Sequence, residues 1–239
     1  MSPWAGLNEG RDPDFVDPPE YARRVRALRG IGQSIEDSSG LPDSQDEKAF
    51  NATRQDLPLK SPMPQHLWVM LLDLGDLKVR SWRKSDLDAL VQYANNPKIA
   101  ANLRDQFPHP YTRFAGASYL LEVRSAQVET SFAVEYGGEA IGGVGFKLGT
   151  DVARLSAEMG YWLGEPYWSR GLTTRAVLAA SDWAFEHYRL TRIFAMAFSH
   201  NVASMRVLEK SGFEREGTLR RSAVKSGVIL DQVLYAKVR

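Results

Sequence analysis

Cysteine is absent from the 239 residues of the chain. This absence excludes disulfide bonds, thiolate ligands for a metal and a cysteine nucleophile. Long hydrophobic runs are also missing. An apolar segment such as residues 67–72 is far shorter than the roughly 20 residues that a membrane-spanning helix needs. The sequence therefore predicts a protein that does not enter a membrane.

Charge of one sign is not in excess either. Lysine and arginine number 30 and aspartate and glutamate 29, which gives a formal net charge of +1. Such a balance supplies no broad positive surface for nucleic acid or for an acidic membrane. The first residues also lack the basic segment and apolar core of a secretory signal. We therefore expect a cytoplasmic protein with neither nucleic acid nor membrane among its partners.

Residues 1–65 differ in composition from the remainder. Stretches such as NEGRDPDFVDPPE are rich in proline, aspartate, serine and glycine and have little apolar periodicity, which is typical of disorder. We predict a disordered N-terminal arm over residues 1–65. Residues 66–239 are predicted to form one folded domain, since their length suits a single sizeable core.

The remaining chain alternates between strand-like and helix-like patterns. Two strand-like runs precede a helix over SDLDALVQYANN, which Pro97 is expected to close. A hairpin, a third strand (LSAEMGYWLG), a long helix, an apolar strand, a helix and a last hairpin complete the chain. The order β-αα-ββ-β-α-β-α-ββ predicts a mixed α/β fold rather than a doubly wound sheet. A second helix is predicted over TRFAGASYLLEVRSA, with Phe114, Ala117, Leu120 and Leu121 on its apolar side.

The segment MGYWLGEPYWSRGLTTRAV places a strand, a short loop and a helix start in series. A helix start has backbone N–H groups without helical partners and a partial positive charge. Gly171 permits close approach of the backbone, Arg170 adds a positive charge, and the neighbouring serine and threonines add hydroxyl groups. This loop could hold a phosphate, or Gly171 could be an ordinary turn residue. The P-loop pattern and the dinucleotide pattern G-x-G-x-x-G are both absent from it.

A second segment, NVASMRVLEKSGF, follows a strand, opens on Asn201 and reads as a helix that ends at Gly212. Together with YWSRGLTTRAV it resembles the GCN5-related N-acetyltransferase (GNAT) superfamily, and within it the ribosomal-protein N-acetyltransferases of bacteria (the RimJ/RimL-type group). The resemblance runs from about Leu77 to Val238 and includes the closing hairpin SGVILDQVLYAKV. It implies a GNAT-like fold, with a central, mostly antiparallel sheet flanked by helices and splayed strands that hold the cofactor.

The resemblance also implies acetyl-CoA as the co-substrate, with no metal. The backbone of the third strand, at Tyr161, Trp162 and Leu163, would hold the pantetheine arm and the acetyl carbonyl, and Asn201 and Ser204 would lie near the thioester. The pyrophosphate loop would consist of Trp168, Ser169, Arg170, Gly171, Leu172, Thr173 and Thr174.

The sequence departs from the family pattern in two places. The pyrophosphate loop, often Gln/Arg-x-x-Gly-x-Gly/Ala, has Trp168 at its first and Thr173 at its last position. Many relatives carry a tyrosine in the helix after Asn201 that protonates the leaving thiolate, and here Leu208 stands at that place. Ser204 is then the candidate acid.

Acetyl transfer also needs an unprotonated amine. Glu158 is the candidate base, because strand alternation places Glu158, Gly160 and Trp162 on one face. Glu158 could instead form a salt bridge with a neighbouring helix, and positioning alone could supply much of the rate. Because cysteine is absent and no Ser/His/Asp arrangement is visible, we expect direct transfer in a ternary complex.

The acceptor site is predicted at the proline-broken loop DQFPHPY, with Phe107, His109 and Tyr111 on its rim. The acceptor is expected to be a primary amine, either a protein N-terminus, as the resemblance suggests, or a small molecule. The sequence leaves open whether the chain is a monomer or a homodimer. The alternative to an enzyme is a catalytically weak acyl-CoA-binding or regulatory module, which Leu208 would suit.

Overall fold

The computed structural model describes residues 70–239, so the predicted arm over residues 1–65 lies outside the described residues. The described part contains eight strands and five α-helices. The strands are β1 (Leu71–Asp73), β2 (Leu77–Ser81), β3 (Ser131–Tyr136), β4 (Glu139–Leu148), β5 (Ser156–Leu163), β6 (Arg192–Phe198), β7 (Glu214–Lys225) and β8 (Val228–Val238). The helices are α1 (Leu87–Ala94), α2 (Pro97–Ala100), α3 (Arg113–Ser125), α4 (Leu172–His187) and α5 (Val202–Lys210). None of these helices is long and apolar enough to cross a membrane.

The eight strands form one sheet in the order β1-β2-β3-β4-β5-β6-β8-β7. Neighbouring strands run antiparallel except for β5 and β6, which are parallel. The parallel pair follows from the connection, because α4 carries the chain from the end of β5 back to the start of β6 as a crossover must. The predicted mixed, mostly antiparallel sheet is therefore confirmed.

Helices cover both faces of the sheet. Successive side chains of β3 point to opposite faces of the sheet. Phe132 packs into the core under α4 and α5, and Ala133 packs into a second core under α1 and α3. The first core is the larger and takes Val177 of α4 and Leu208 of α5. The second includes Leu120 of α3. Each helix is thus fixed by one apolar side, as an amphipathic surface helix is.

Strands β5 and β6 pair over only a short distance. Their register joins Ser156 to Arg192 and ends with Glu158 opposite Phe194. Beyond that point β5 remains paired with β4 as far as Leu163, and β6 remains paired with β8. Residues 159–163 of β5 therefore border a gap that widens away from Glu158, which is the splay that the resemblance implies.

A buried ion cluster ties the first strands to the start of α1. The guanidinium of Arg80, whose side chain is 2% exposed, donates from Nη1 and Nη2 to the carboxylate of Asp86 at 2.7 and 2.8 Å. Its Nε donates to Glu135 of β3. Asp86 also accepts the backbone N–H of Arg83 at 2.7 Å. The cluster satisfies three buried charges at once. Removing Arg80 would take the paired cation from Asp86. Glu135 would keep only its longer ion pairs, with Arg83 at 3.5 Å and Lys78 at 3.7 Å.

Pro97 does not act as the sequence pattern suggested. Helix α1 ends at Ala94, and Pro97 begins a separate helix, α2, whose first position it occupies. The side chain of Asn96 caps α2 by accepting the backbone N–H of Lys98 at 2.8 Å. Proline suits this position because its missing N–H would have no helical partner there.

The buried side of α3 also differs from the prediction. Phe114 and Leu121 are 83% and 70% exposed, whereas Gly116 and Leu120 are buried. A Cβ at position 116 would lie 2.9 Å from Cγ2 of Val91 in α1, so the glycine lets the two helices approach closely. Close helix–helix contact at the small residue thus decides which side of α3 faces inward.

Candidate active site

A cleft of about 830 Å³ opens where β5 and β6 part. Strands β4 and β5 form its floor, α3 and the loop between α2 and α3 form its walls, and residues of β6 and β8 complete the lining. This volume is within the range of small-molecule sites. The predicted residues Phe107, Tyr111, Glu158, Tyr161 and Trp162 all contribute to the lining.

Glycines leave parts of β4 and β5 without side chains at the floor of the cleft. Gly143 and Gly145 of β4 lie beside Trp162 and Gly160 of β5 in the register, and all four line the cleft. A Cβ at Gly143 would be 2.9 Å from Nε1 of Trp162, whereas one at Gly160 would meet nothing within 4 Å. The indole therefore covers β4, and the backbone of β5 at residue 160 stays open to a ligand.

Glu158 stands at the point where the strands part. Its side chain is 19% exposed and accepts a hydrogen bond from the guanidinium of Arg104, whose side chain is 55% exposed. The alternative of a salt bridge is thus seen, although its partner is in the α2–α3 loop and not on a helix. Because Glu158 also lines the cleft, its use as a base stays a prediction. The sequence carried no signal for Arg104, since the two residues are 54 positions apart.

Two of the three residues predicted for the acceptor rim, Phe107 and Tyr111, line the cleft. The Phe107 ring lies 5.8 Å from Trp162 and 5.0 Å from Tyr111, between ring centroids. Tyr111 is 4% exposed and belongs to the core under α1 and α3, and this burial raises the pKa of its phenol. His109 is exposed and does not contribute to the lining of the cleft.

The backbone of the loop before α4 leaves room for a ligand to come close to it. Gly171 is the residue before the helix and has φ +74°, and a Cβ there would meet nothing within 4 Å. No side chain caps the first turn of α4, so the backbone N–H groups of that turn are available to an anion. The indole of Trp168 donates to the carbonyl of Leu163 at 2.7 Å and thereby fixes the loop to the end of β5. Leu172 is buried, Thr173 and Thr174 are half-buried, and Ser169 is exposed.

Two tyrosines hold the side chain of Arg170. Its guanidinium carbon is 4.7 Å from the centroid of the Tyr136 ring and 5.7 Å from that of Tyr167. Its Nη2 also donates to Oη of Tyr136 at 2.8 Å. These contacts hold the positive charge of Arg170 beside the loop with reduced side-chain freedom. They join segments that are distant in sequence and were not predicted.

Tyr161 links β5 to the first turn of α5. Its Oη lies 2.8 Å from Oγ of Ser204 and 3.1 Å from the Ser204 carbonyl oxygen. Asn201 caps α5 by accepting the N–H of Ser204 at 3.1 Å, as predicted. Burial raises the pKa of the Tyr161 phenol, so the hydroxyl stays protonated at neutral pH. The sequence assigned Tyr161 only a backbone role, and this hydroxyl pair was missed.

Leu208 is 1% exposed and lies in the core under α4 and α5. It therefore packs against apolar neighbours, and its place supplies no donor to the cleft. Across residues 70–239, no group of three or more histidine, aspartate or glutamate side chains is arranged to hold a metal ion.

Comparison with known proteins adds to this geometry. Residues 76–214 match the family described as "Acetyltransferase (GNAT) domain". An uncharacterized N-acetyltransferase, p20 of Bacillus licheniformis, is 27% identical over 169 residues, which are 68% of this chain and 93% of p20. The spermidine N(1)-acetyltransferase of Escherichia coli K12 is 31% identical over 144 residues, 60% of this chain and 75% of the relative.

Among solved structures, RimJ of Mycobacterium smegmatis in complex with a CoA disulfide is similar to this chain. The two share 25% sequence identity and superpose with a TM-score of 0.62, over 68% of this chain and 81% of RimJ. The family match covers more than half of the chain, and the fold, sheet order and splayed strands agree with it. The chain therefore belongs to the GNAT family of N-acetyltransferases.

Proposed function

We propose that the chain transfers the acetyl group of acetyl-CoA to a primary amine by direct attack in a ternary complex. The carrying observation is that a carboxylate, Glu158, and a phenol, Tyr161, both lie where β5 and β6 part and both line the cleft. Glu158 and Tyr161 are three positions apart on β5, so their side chains leave opposite faces of the strand. A thioester held between those faces can be approached by the amine on one side while its thiol leaves on the other.

The residues around the gap suit acetyl-CoA. The open edge of β5 at residues 159–163 offers backbone hydrogen bonds to an extended amide chain, which is the role predicted for Tyr161, Trp162 and Leu163. The uncapped first turn of α4 and Gly171 offer N–H groups to the pyrophosphate, and Arg170 adds charge beside them. RimJ of M. smegmatis, which was solved with a CoA disulfide, supports this placement.

On the acceptor side, Glu158 takes the proton from the amine. An amine near its ordinary pKa is mostly protonated at neutral pH, so the carboxylate must both bind the ammonium and accept its proton. The nitrogen then attacks the carbonyl carbon, the C–S bond breaks, and its electron pair goes to sulfur. Glu158 passes the ammonium's proton to solvent and takes the second proton from the nitrogen once it is bonded to carbon. That second proton balances the one that the thiolate takes up from solvent, so the net products are an amide, the free thiol and one proton.

On the thiol side, Tyr161 donates a hydrogen bond to the sulfur as negative charge develops there. A phenol whose pKa is raised does not give its proton fully to a thiolate, since free thiols have a pKa of about 8.5. Its hydroxyl instead stabilises the thiolate until solvent protonates it. Ser204 holds that hydroxyl in place at 2.8 Å, which makes it a positioning residue for Tyr161. This arrangement takes the place of the tyrosine that Leu208 replaces.

The acceptor class follows from Glu158 and from the size of the cleft. A carboxylate at the reacting centre selects an amine that arrives as a cation, and 830 Å³ accommodates either a small polyamine or the first residues of a polypeptide. The spermidine acetyltransferase similarity supports the first, and the RimJ similarity supports the second.

A screen with the full chain tests the function. Acetyl-CoA is offered with a panel of peptide N-termini, polyamines and other small amines, and free thiol is measured. We expect thiol release that depends on a primary amine, together with acetyl-CoA binding in calorimetry. Absence of acetyl-CoA binding contradicts the proposal, and binding without turnover against any amine favours the regulatory module.

Gly171→Glu should weaken acetyl-CoA binding by at least about tenfold, or 1.4 kcal/mol. The new carboxylate would stand at the N–H groups proposed for the pyrophosphate and would repel it. Gly227→Glu is the matched control, because Gly227 has φ +78° and open space at its Cβ position, like Gly171 at +74°. Both substitutions add the same charge and a similar backbone strain. Equal affinity of the two variants, measured by calorimetry, would remove the loop from the binding site.

A further inference from the structure

The loop between α2 and α3 is held across the cleft by two ion pairs of opposite polarity. Arg104 binds Glu158 of β5, and the next residue, Asp105, accepts a hydrogen bond from Nζ of Lys225 at 2.7 Å. Lys225 is the last residue of β7 and its side chain is only 13% exposed. The loop therefore has a separate attachment at Asp105, so Arg104 can leave Glu158 while the loop stays in place.

Arg104 occupies the place on Glu158 that an acceptor cation needs. The side chain of Glu158 is mostly buried, at 19% exposure, whereas that of Arg104, which contacts it, is 55% exposed. Both residues line the cleft. Lys147 is the other cation beside Glu158, as its partner in the β4–β5 register, but the hydrogen bond to the carboxylate comes from Arg104.

We propose that Arg104 is a specificity-determining residue that stands in for the acceptor's ammonium group on Glu158 and must be displaced by it. This rests on the proposed function, in which Glu158 receives the acceptor amine. A neutral amine cannot replace a guanidinium at a carboxylate, because it brings no charge to compensate the one that leaves. A cationic amine can, so Arg104 restricts the site to acceptors that arrive protonated.

The displacement is easy because the pair is partly exposed. Ion pairs of this kind contribute little in water, since solvent screens them and the long side chain loses freedom when it is held. Removing the competitor should therefore strengthen binding of a cation by about three- to fivefold and no more. The same contact keeps Glu158 covered when the cleft holds no amine.

Spermidine binding to the full chain, measured by calorimetry in the presence of CoA, tests the proposal without turnover. Arg104→Ala should tighten the dissociation constant about three- to fivefold. Arg113→Ala is the charge-matched control, because Arg113 pairs with Asp88 at the surface, both side chains being more than 65% exposed, and it does not line the cleft. Arg104→Ala combined with Glu158→Gln should lose the gain.

Unchanged or weaker spermidine binding in Arg104→Ala overturns the proposal, and so does a gain that persists in the double variant or appears equally in Arg113→Ala. Aniline, which is neutral at pH 7.5, gives a second readout in the thiol-release assay. Arg104→Ala should lower the KM of aniline as well as that of a cationic acceptor, because the guanidinium that a neutral amine cannot displace is then absent. Thiol release by the wild-type chain with no effect of Arg104→Ala would refute this inference alone, whereas tighter spermidine binding without any thiol release would refute only the proposed function.

Discussion

Arg80→Met should lower the free energy of unfolding by about 3–5 kcal/mol, which is the cost of breaking a buried ion pair by removing one partner. Arg80 is 2% exposed, and its two partners, Asp86 and Glu135, are 7% and 8% exposed at their side chains. Methionine fills similar volume but removes the guanidinium that pairs with Asp86. It leaves Glu135 only the more distant Arg83 and Lys78, at 3.5 and 3.7 Å. Since a domain of this size is stable by only about 5–15 kcal/mol, the loss is a large fraction of the total stability. Chemical denaturation followed by circular dichroism measures the change.

Arg192→Met is the control for this prediction. Arg192 also binds a carboxylate through two nitrogens, that of Glu216, but the two side chains are 31% and 38% exposed. Water can solvate Glu216 when its partner is gone, so the loss should be at most about 1 kcal/mol. Equal losses in the two variants would show that burial does not govern the Arg80 cluster.

Tyr161→Phe should lower kcat by about 10²-fold, the lower end of the range for losing one hydrogen-bond donor to a developing negative charge. Phenylalanine keeps the ring in the gap between β5 and α5, so the KM for acetyl-CoA should change little, and only the donor to the sulfur is lost. Because the pKa of Tyr161 is raised by burial, its hydroxyl remains protonated as the pH rises through the neutral range. The wild-type rate should therefore show no decline from this group below about pH 10.

Tyr235→Phe is the matched control, because Oη of Tyr235 also donates to α5, at 2.7 Å to Glu209, yet Tyr235 does not line the cleft. It should keep kcat within a few-fold. Ser204→Ala separates the two hydroxyls. If Ser204→Ala abolishes turnover and Tyr161→Phe does not, the serine itself contacts the sulfur and the assignment to Tyr161 is wrong.

Features set by nearby residues were predicted well from the sequence. Asn201 caps α5 and Gly171 lies directly before the first residue of α4, because both depend on backbone groups within a few positions. The sheet class followed from the order of the elements. The buried side of α3 was mispredicted. Phe114 and Leu121 suggested an apolar side, but the side that faces inward is set by contact at Gly116 with α1, a helix that the local pattern does not include.

The same distinction between local features and contacts of distant segments applies to the site. Glu158, Trp162 and Phe107 were placed in the cleft by strand alternation and loop position. The partners Arg104 and Tyr136 were not foreseen, because an ion pair or a ring–cation contact between segments depends on how loops cross the finished sheet. For Tyr161, the alternation was read correctly but only its backbone was considered, so its contact with Ser204 was missed.

The short pairing of β5 with β6 divides the sheet into two groups of strands. Strands β1 to β5 form one and β6, β8 and β7 the other, and the seam between them consists of three residue pairs, with α4 packed against strands of both. A cofactor bound in the gap, as proposed, would add hydrogen bonds between the two parts of the sheet along this short seam. Its binding would then stabilise the folded chain by mass action.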